Sequence, residues 1–186
     1  IVAAGDFYWD PTQWNYFECI YDISITESDL QLRLFVNGIE LPHTHRSNYK
    51  VTTAMTNPST LFIGTTYDGE VGSAQGAIDD FRYYTSYVPY PTPTQILISP
   101  TPSTPPTESI LWYSTMASLA SLTSPVIGTG MYPTPNPTWL DFGVFSGRAS
   151  TYMEEAGDYA SIPIASTDYN PESGRVEFYF FFFTLR

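Results

Sequence analysis

Leu30-Gln31-Leu32-Arg33-Leu34-Phe35-Val36-Asn37-Gly38 is the stretch that decides the fold. Leu30, Leu32 and Leu34 alternate with Gln31 and Arg33, which is the two-residue period of an extended strand. The pair Asn37-Gly38 then supplies the positive φ angles of a tight hairpin turn. The return strand is therefore expected to begin at Ile39. Working outward, the same reading predicts strands over Trp14–Ser24, Thr60–Thr65, Gly76–Tyr84, Gly157–Ile162 and Arg175–Phe183. Helical signals are nearly absent, because no window of a dozen residues sustains apolar positions at i, i+3, i+4 and i+7. The best exception is Ile110–Leu122, a Ser/Thr-rich stretch bounded by Pro125. Many short strands with Gly, Pro and Asn between them predict an all-β sandwich or jelly roll.

The composition agrees with this. The chain has 186 residues, enough for one β-sandwich or for one plus fragments of another. Aromatic residues make up 17%, which can fill a large core and still leave rings at the surface. Charged residues are only 14%, against about 25% in an average domain, so surface polarity must come from Thr, Ser, Asn and Tyr. That balance is frequent in extracellular β-proteins. The net charge is −12 and Lys50 is the single lysine, so a polyanion such as DNA or RNA would be repelled. The same charge disfavours an anionic membrane surface, and no apolar run reaches membrane length. An acidic surface is compatible with Ca²⁺, the one metal the composition favours. Cys19 is the only cysteine, which excludes an intramolecular disulfide and a cysteine-cluster metal site. Its alternating apolar context reads as a small core residue, with an intermolecular bridge as the alternative. The chain opens on Ile1 rather than Met, as a processed product or fragment would.

One segment stands apart. Residues 89–107 hold seven prolines and five threonines, a composition that favours extended polyproline II. It reads as a stiff linker, and its hydroxyls make Thr92, Thr94, Thr101, Thr104 and Thr107 candidate O-glycan acceptors. Thr134 joins them from the string Tyr132-Pro133-Thr134-Pro135, which echoes Tyr90-Pro91-Thr92-Pro93. The apolar insert Gln95-Ile96-Leu97-Ile98 is unusual for a free linker and is expected to dock as a short strand.

The residues on either side of the linker carry a resemblance. Trp14 through Val36-Asn37-Gly38, then Leu61-Phe62-Ile63-Gly64, then Gly76-Ala77-Ile78-Asp79-Asp80-Phe81-Arg82-Tyr83-Tyr84, resemble the closing strands of laminin-G-like domains. After the linker, Ile110-Leu111-Trp112-Tyr113, Phe145-Ser146-Gly147-Arg148-Ala149, Gly157-Asp158-Tyr159-Ala160-Ser161-Ile162-Pro163 and Ser173-Gly174-Arg175-Val176-Glu177-Phe178-Tyr179-Phe180 resemble that family's opening strands. The resemblance implies a concanavalin A-like β-sandwich (jelly roll) in reversed order. Residues 1–88 would be its C-terminal half, 89–107 the linker and 108–186 its N-terminal half. The chain would then be a permuted single sandwich, a pair of half-domains completed by strand exchange between subunits, or a window from a tandem array. A half jelly roll leaves open edges and cannot stand alone. The phenylalanine run from Glu177 to Phe183 must be covered, within the fold or by another subunit. Exchange is favoured, with Val176, Phe178, Phe180, Phe182, Ile96 and Ile98 as the assembly residues.

These readings imply an extracellular structural or adhesive module, self-associating into a fibril or with neighbouring repeats, and not an enzyme. The alternative is a calcium-dependent carbohydrate-binding domain. Calcium would draw on Asp79 or Asp80 with Asp141 or Asp158, as the resemblance suggests. The plainer reading has Asp79 capping a turn and Asp80 facing water. Sugar contact would fall to Tyr8, Trp9, Tyr67 and Trp139, which lie in turn-rich contexts, though several of these rings can equally pack beneath loops. No cofactor is required. Glycosidases of this architecture need two carboxylates about 5–9 Å apart. Here Asp79-Asp80 and Glu154-Glu155 are adjacent and should point to opposite faces, while Glu177 has no acidic neighbour in sequence. His43-Thr44-His45 offers two imidazoles on one side of an extended segment, or simply a polar loop. Nucleophile-elbow and phosphate-loop motifs are missing.

Overall fold

The computed structural model describes residues 3–4, 10, 12–26, 31–41, 44–45, 60–64, 75–85, 110–128, 130, 132–134, 138–141, 143, 149–153, 159–163 and 172–182. The strands before the Pro/Thr tract are β1 (Ala3–Ala4), β2 (Asn15–Asp22), β3 (Leu32–Val36), β4 (Ile39–Glu40), β5 (Thr44–His45), β6 (Thr60–Ile63) and β7 (Gly76–Tyr84). After it come β8 (Ile110–Ser114), the helix α1 (Leu119–Thr123), β9 (Tyr132–Thr134), β10 (Thr138–Leu140), β11 (Ser150–Met153), β12 (Tyr159–Pro163) and β13 (Ser173–Phe182). The described residues are mostly β, and every strand pairing among them is antiparallel.

The hairpin forms where the sequence places it. Asn37 and Gly38 have φ of 52° and 78°, the positive pair that a two-residue turn requires. The turn is tied to β2, because Asn37 donates its backbone N–H to the Tyr16 carbonyl and accepts the Tyr16 N–H on its side-chain oxygen.

Ile110–Leu122 divides into two elements. Ile110–Ser114 is a strand on β7, and only Leu119–Thr123 is helical. Ser118 and Ser121 make a reciprocal cap on that short helix, and Leu122 is its buried residue. The β-branched and aromatic residues at 110–113 favour a pleated surface over a helix.

An eight-stranded sheet runs in the order β10-β11-β7-β13-β2-β3-β4, with β8 also on β7. A second sheet has the order β6-β12-β9. The two sheets share one core. Ile63, Ala160 and Ile162 from the smaller sheet meet Ile78, Phe81, Tyr83, Trp112 and Phe180 from the larger one. Each large side chain buried there contributes about 1.5–3 kcal/mol. Between the sheets lies an apolar cavity of about 400 Å³, walled by Phe17, Phe62, Phe81, Phe178 and Phe182 among others.

The centre of the large sheet joins the two sides of the Pro/Thr tract. β13 pairs with β2 from Ser173↔Asp22 to Phe180↔Asn15, and with β7 from Arg175↔Tyr84 to Phe182↔Gly76. The phenylalanine-rich strand is therefore an interior strand, flanked on both sides by its own chain. Its apolar face is filled by rings, with Phe178 stacked on Phe17 at 5.6 Å and Phe180 edge-on to Phe182 at 4.3 Å. Among the described residues, no helix is long and apolar enough to cross a membrane.

Candidate functional site

The face of the large sheet opposite the core carries a buried cluster of charges and tyrosines. It is built by alternation on three neighbouring strands. Val176, Phe178 and Phe180 of β13 turn to the core side, so Arg175, Glu177 and Tyr179 turn to the other. Phe17 and Tyr21 of β2 pack against the core, which sends Tyr16 and Glu18 to the same side as Glu177.

On β7 the alternation needs a correction. Its residues in the main core are Ile78, Phe81 and Tyr83, a spacing that no regular strand can place on one face. A β-bulge resolves this. Asp79 opposes Tyr179 and Arg82 opposes Glu177, so Asp80 and Phe81 together oppose Phe178 alone. Asp80 absorbs the irregularity with φ of 53°, in the left-handed region. The bulge returns Phe81 and Tyr83 to the core, where Phe81 packs on Phe178 and Trp112. It also brings both aspartates toward the charged side. The expectation that Asp79 and Asp80 point to opposite faces is therefore wrong, as is the reading in which Asp80 faces water. Asp80 is buried, with its carboxylate 2.7 Å from Arg82 Nη2.

Glu177 is the hub. Tyr16 donates its hydroxyl to Glu177 Oε2 at 2.6 Å, and Tyr84 donates to Oε1 at 2.7 Å. Arg82 Nη1 donates to Oε1 at 3.1 Å. Arg175 lies between the two glutamates, with Nη1 3.5 Å from Glu18 and Nε 3.6 Å from Glu177 Oε2. The guanidinium groups also sit on rings, Arg175 over Tyr84 at 4.0 Å and Arg82 over Tyr113 at 5.0 Å. Glu18 and Glu177 are direct partners across β2 and β13, and only 5% and 4% of them is exposed.

Burial governs the proton affinities. It raises the Glu18 carboxyl above the ordinary glutamate range, against the opposing pull of Arg175 and with further lift from Glu177. It holds the Tyr16 and Tyr84 hydroxyls well above the usual phenol value, reinforced by Glu177, so both remain donors. Tyr179 is pushed up to about 12 by burial and then by Asp80. Burial opposes the charge of Arg82, but Asp80 and Glu177 outweigh it and keep the group protonated. Because its ion pairs and hydroxyl hydrogen bonds tie β2, β7 and β13 together, the cluster is suited to fixing the three strands in one register.

The residues expected to carry function are scattered. Asp79 and Asp80 adjoin the cluster, whereas Asp141 is exposed after β10. Among the described residues, no group of three His, Cys, Asp or Glu side chains is placed to hold a metal ion. Trp139 is half-buried and packs against the core. Thr134 lies in β9. Tyr8, Trp9, Tyr67, Asp158, Ile96, Ile98, Thr92, Thr94, Thr101, Thr104 and Thr107 fall outside the described residues, as does His43. Val176, Phe178, Phe180 and Phe182 line the core face of β13 rather than an open edge. Cys19 is a free thiol opposite Val176, pushed up to about 11 by burial and then by Glu18.

Sequence reasoning missed Glu18, Arg82, Arg175, Tyr16 and Tyr84 as a group. The signal was a lone charge at the polar phase of strands otherwise rich in aromatic residues. Compared with known protein families, with curated proteins and with solved structures, the chain finds no match.

Proposed function

We propose that the chain is an extracellular structural or adhesive module, a laminin-G-like jelly roll written in permuted order, which links copies into a surface fibril by strand complementation. The observation that carries this reading is the position of β13. It belongs to the segment after the Pro/Thr tract, yet it lies between β2 and β7 from the segment before it. Each side therefore supplies what the other lacks, since neither could bury its aromatic face alone.

Contacts that close one chain can form equally between two copies, because the residues that meet are the same. When the exchange runs head to tail and does not return on itself, the product is an open filament. The stretch between Tyr84 and Ile110, which are paired across β7 and β8, is rich in proline. Proline stiffens the chain and lowers the local concentration of one half about the other, which favours exchange over self-closure. The low content of charged residues and the Thr/Pro composition support an extracellular setting.

Sedimentation velocity and negative-stain electron microscopy over a hundredfold range of protein concentration test the reading. Extended particles whose repeat is one module are expected. A compact monomer at every concentration overturns it.

A further inference from the structure

The buried cluster has a property that a simple stabilising network does not need. Most of its contacts cross from one side of the Pro/Thr tract to the other, while the Arg82–Asp80 and Arg175–Glu177 pairs stay within one side. Glu18 and Arg82 come from before it, and Arg175 and Glu177 come from after it. We propose that Glu18, Arg175 and Glu177 form a charge code that selects which second half seats on which first half, and that the partner it admits is a second copy of this chain. The part naming a second copy rests on the complementation reading above.

The code works by exclusion as well as attraction. A second half with an acidic residue at position 175 would place three carboxylates together, where burial leaves little solvent to screen them. Breaking a buried ion pair from one side leaves a charge without its partner, which costs more than the intact pair contributes. The code also fixes register. A one-residue slip of β13 would turn Phe178 toward the charges and Glu177 into the core. A two-residue slip keeps the faces but moves Glu177 away from its partner Arg82. A single arrangement therefore satisfies both the rings on one face and the charges on the other. Polar groups that set pairing register at some cost in stability are an established use of buried charge.

The test is a charge exchange in the full chain, with Glu18→Arg, Arg175→Glu and the double variant E18R/R175E. Exchanging the two charges keeps the net charge and leaves one guanidinium facing the glutamates across β2 and β13. Each single variant is expected to raise the unfolded fraction at a fixed urea concentration by about tenfold or more, and the double variant to recover most of that loss, as coupled neighbours do. A double variant no more stable than the worse single overturns the code. The two single variants are then mixed in equal amounts after joint refolding. A one-to-one complex containing both chains is expected, because each interface in it is either native or fully exchanged. If the double variant recovers but the mixture yields no such complex, the code holds within one chain, and the second copy as partner is overturned together with the exchange reading.

Discussion

Arg82 and Glu177 face each other across β7 and β13, with Arg82 Nη1 3.1 Å from Glu177 Oε1. The two residues lie on opposite sides of the Pro/Thr tract, so this ion pair marks where one half of the sequence is seated on the other. Their alignment depends on the bulge at Asp80, without which Arg82 would share a face with Ile78.

Glu177→Gln removes the charge that Arg82 and Arg175 share and leaves the tyrosine hydroxyls a poorer acceptor. Loss of one partner from a buried pair costs about 3–5 kcal/mol. Urea unfolding is expected to show a fall of that size, with an unchanged denaturant slope. Tyr84→Phe, which removes one donor to the same carboxylate, is expected to cost about 1.5–3 kcal/mol. A midpoint for Glu177→Gln equal to that of the unaltered chain would place the residue outside any such network.

Gly76 begins β7, where a Cβ would press on the Phe180 ring and lie 2.5 Å from the Phe181 carbonyl oxygen. Since Phe181 O belongs to the backbone of the paired strand, a rotamer change cannot relieve the contact. Gly76→Ala is therefore expected to destabilise the protein by about 1–3 kcal/mol through overpacking. Thermal melts that superimpose on those of the unaltered protein would show that the end of β13 does not lie against β7.

Glu18 gives the protein a pH signature. Its folded value is raised above the ordinary 4.5, chiefly by burial. The folded form therefore binds the proton more tightly than the unfolded chain does. The stabilisation is complete below 4.5 and is lost as pH rises through the folded value. The difference in stability between the unaltered chain and Glu18→Gln should thus shift in favour of the unaltered chain as pH falls from 7 toward 4.5. A difference that stays flat over that window would rule out a perturbed Glu18.

The strands were legible in the sequence to the extent that their side chains alternate. Gly76–Tyr84 was bounded correctly, and Asn37-Gly38 announced its own turn, because local chemistry sets both. Strand β13 was visible as a strand, but its place in the sheet was not, since pairing between distant segments leaves no local trace. The bulge escaped for a related reason. Asp79-Asp80 reads as plain alternation until the spacing of Ile78, Phe81 and Tyr83 is weighed against a single core face. The cluster was hidden more deeply, because Glu18 and Glu177 become neighbours only once β2 and β13 are paired.

The pairing of β2 with β13 is open to one direct measurement. Cys19, the only cysteine, lies opposite Val176, and directly opposed residues of antiparallel strands are about 4.5–5.5 Å apart at Cα, within the span of a disulfide. The Val176→Cys variant, refolded in a glutathione redox buffer, is predicted to lose both free thiols and to form a bond between position 19 and position 176. Peptide mapping identifies the bond, and gel mobility without reductant distinguishes a link within one chain from a link between copies. Two thiols per chain still free after equilibration in that redox buffer would contradict the account.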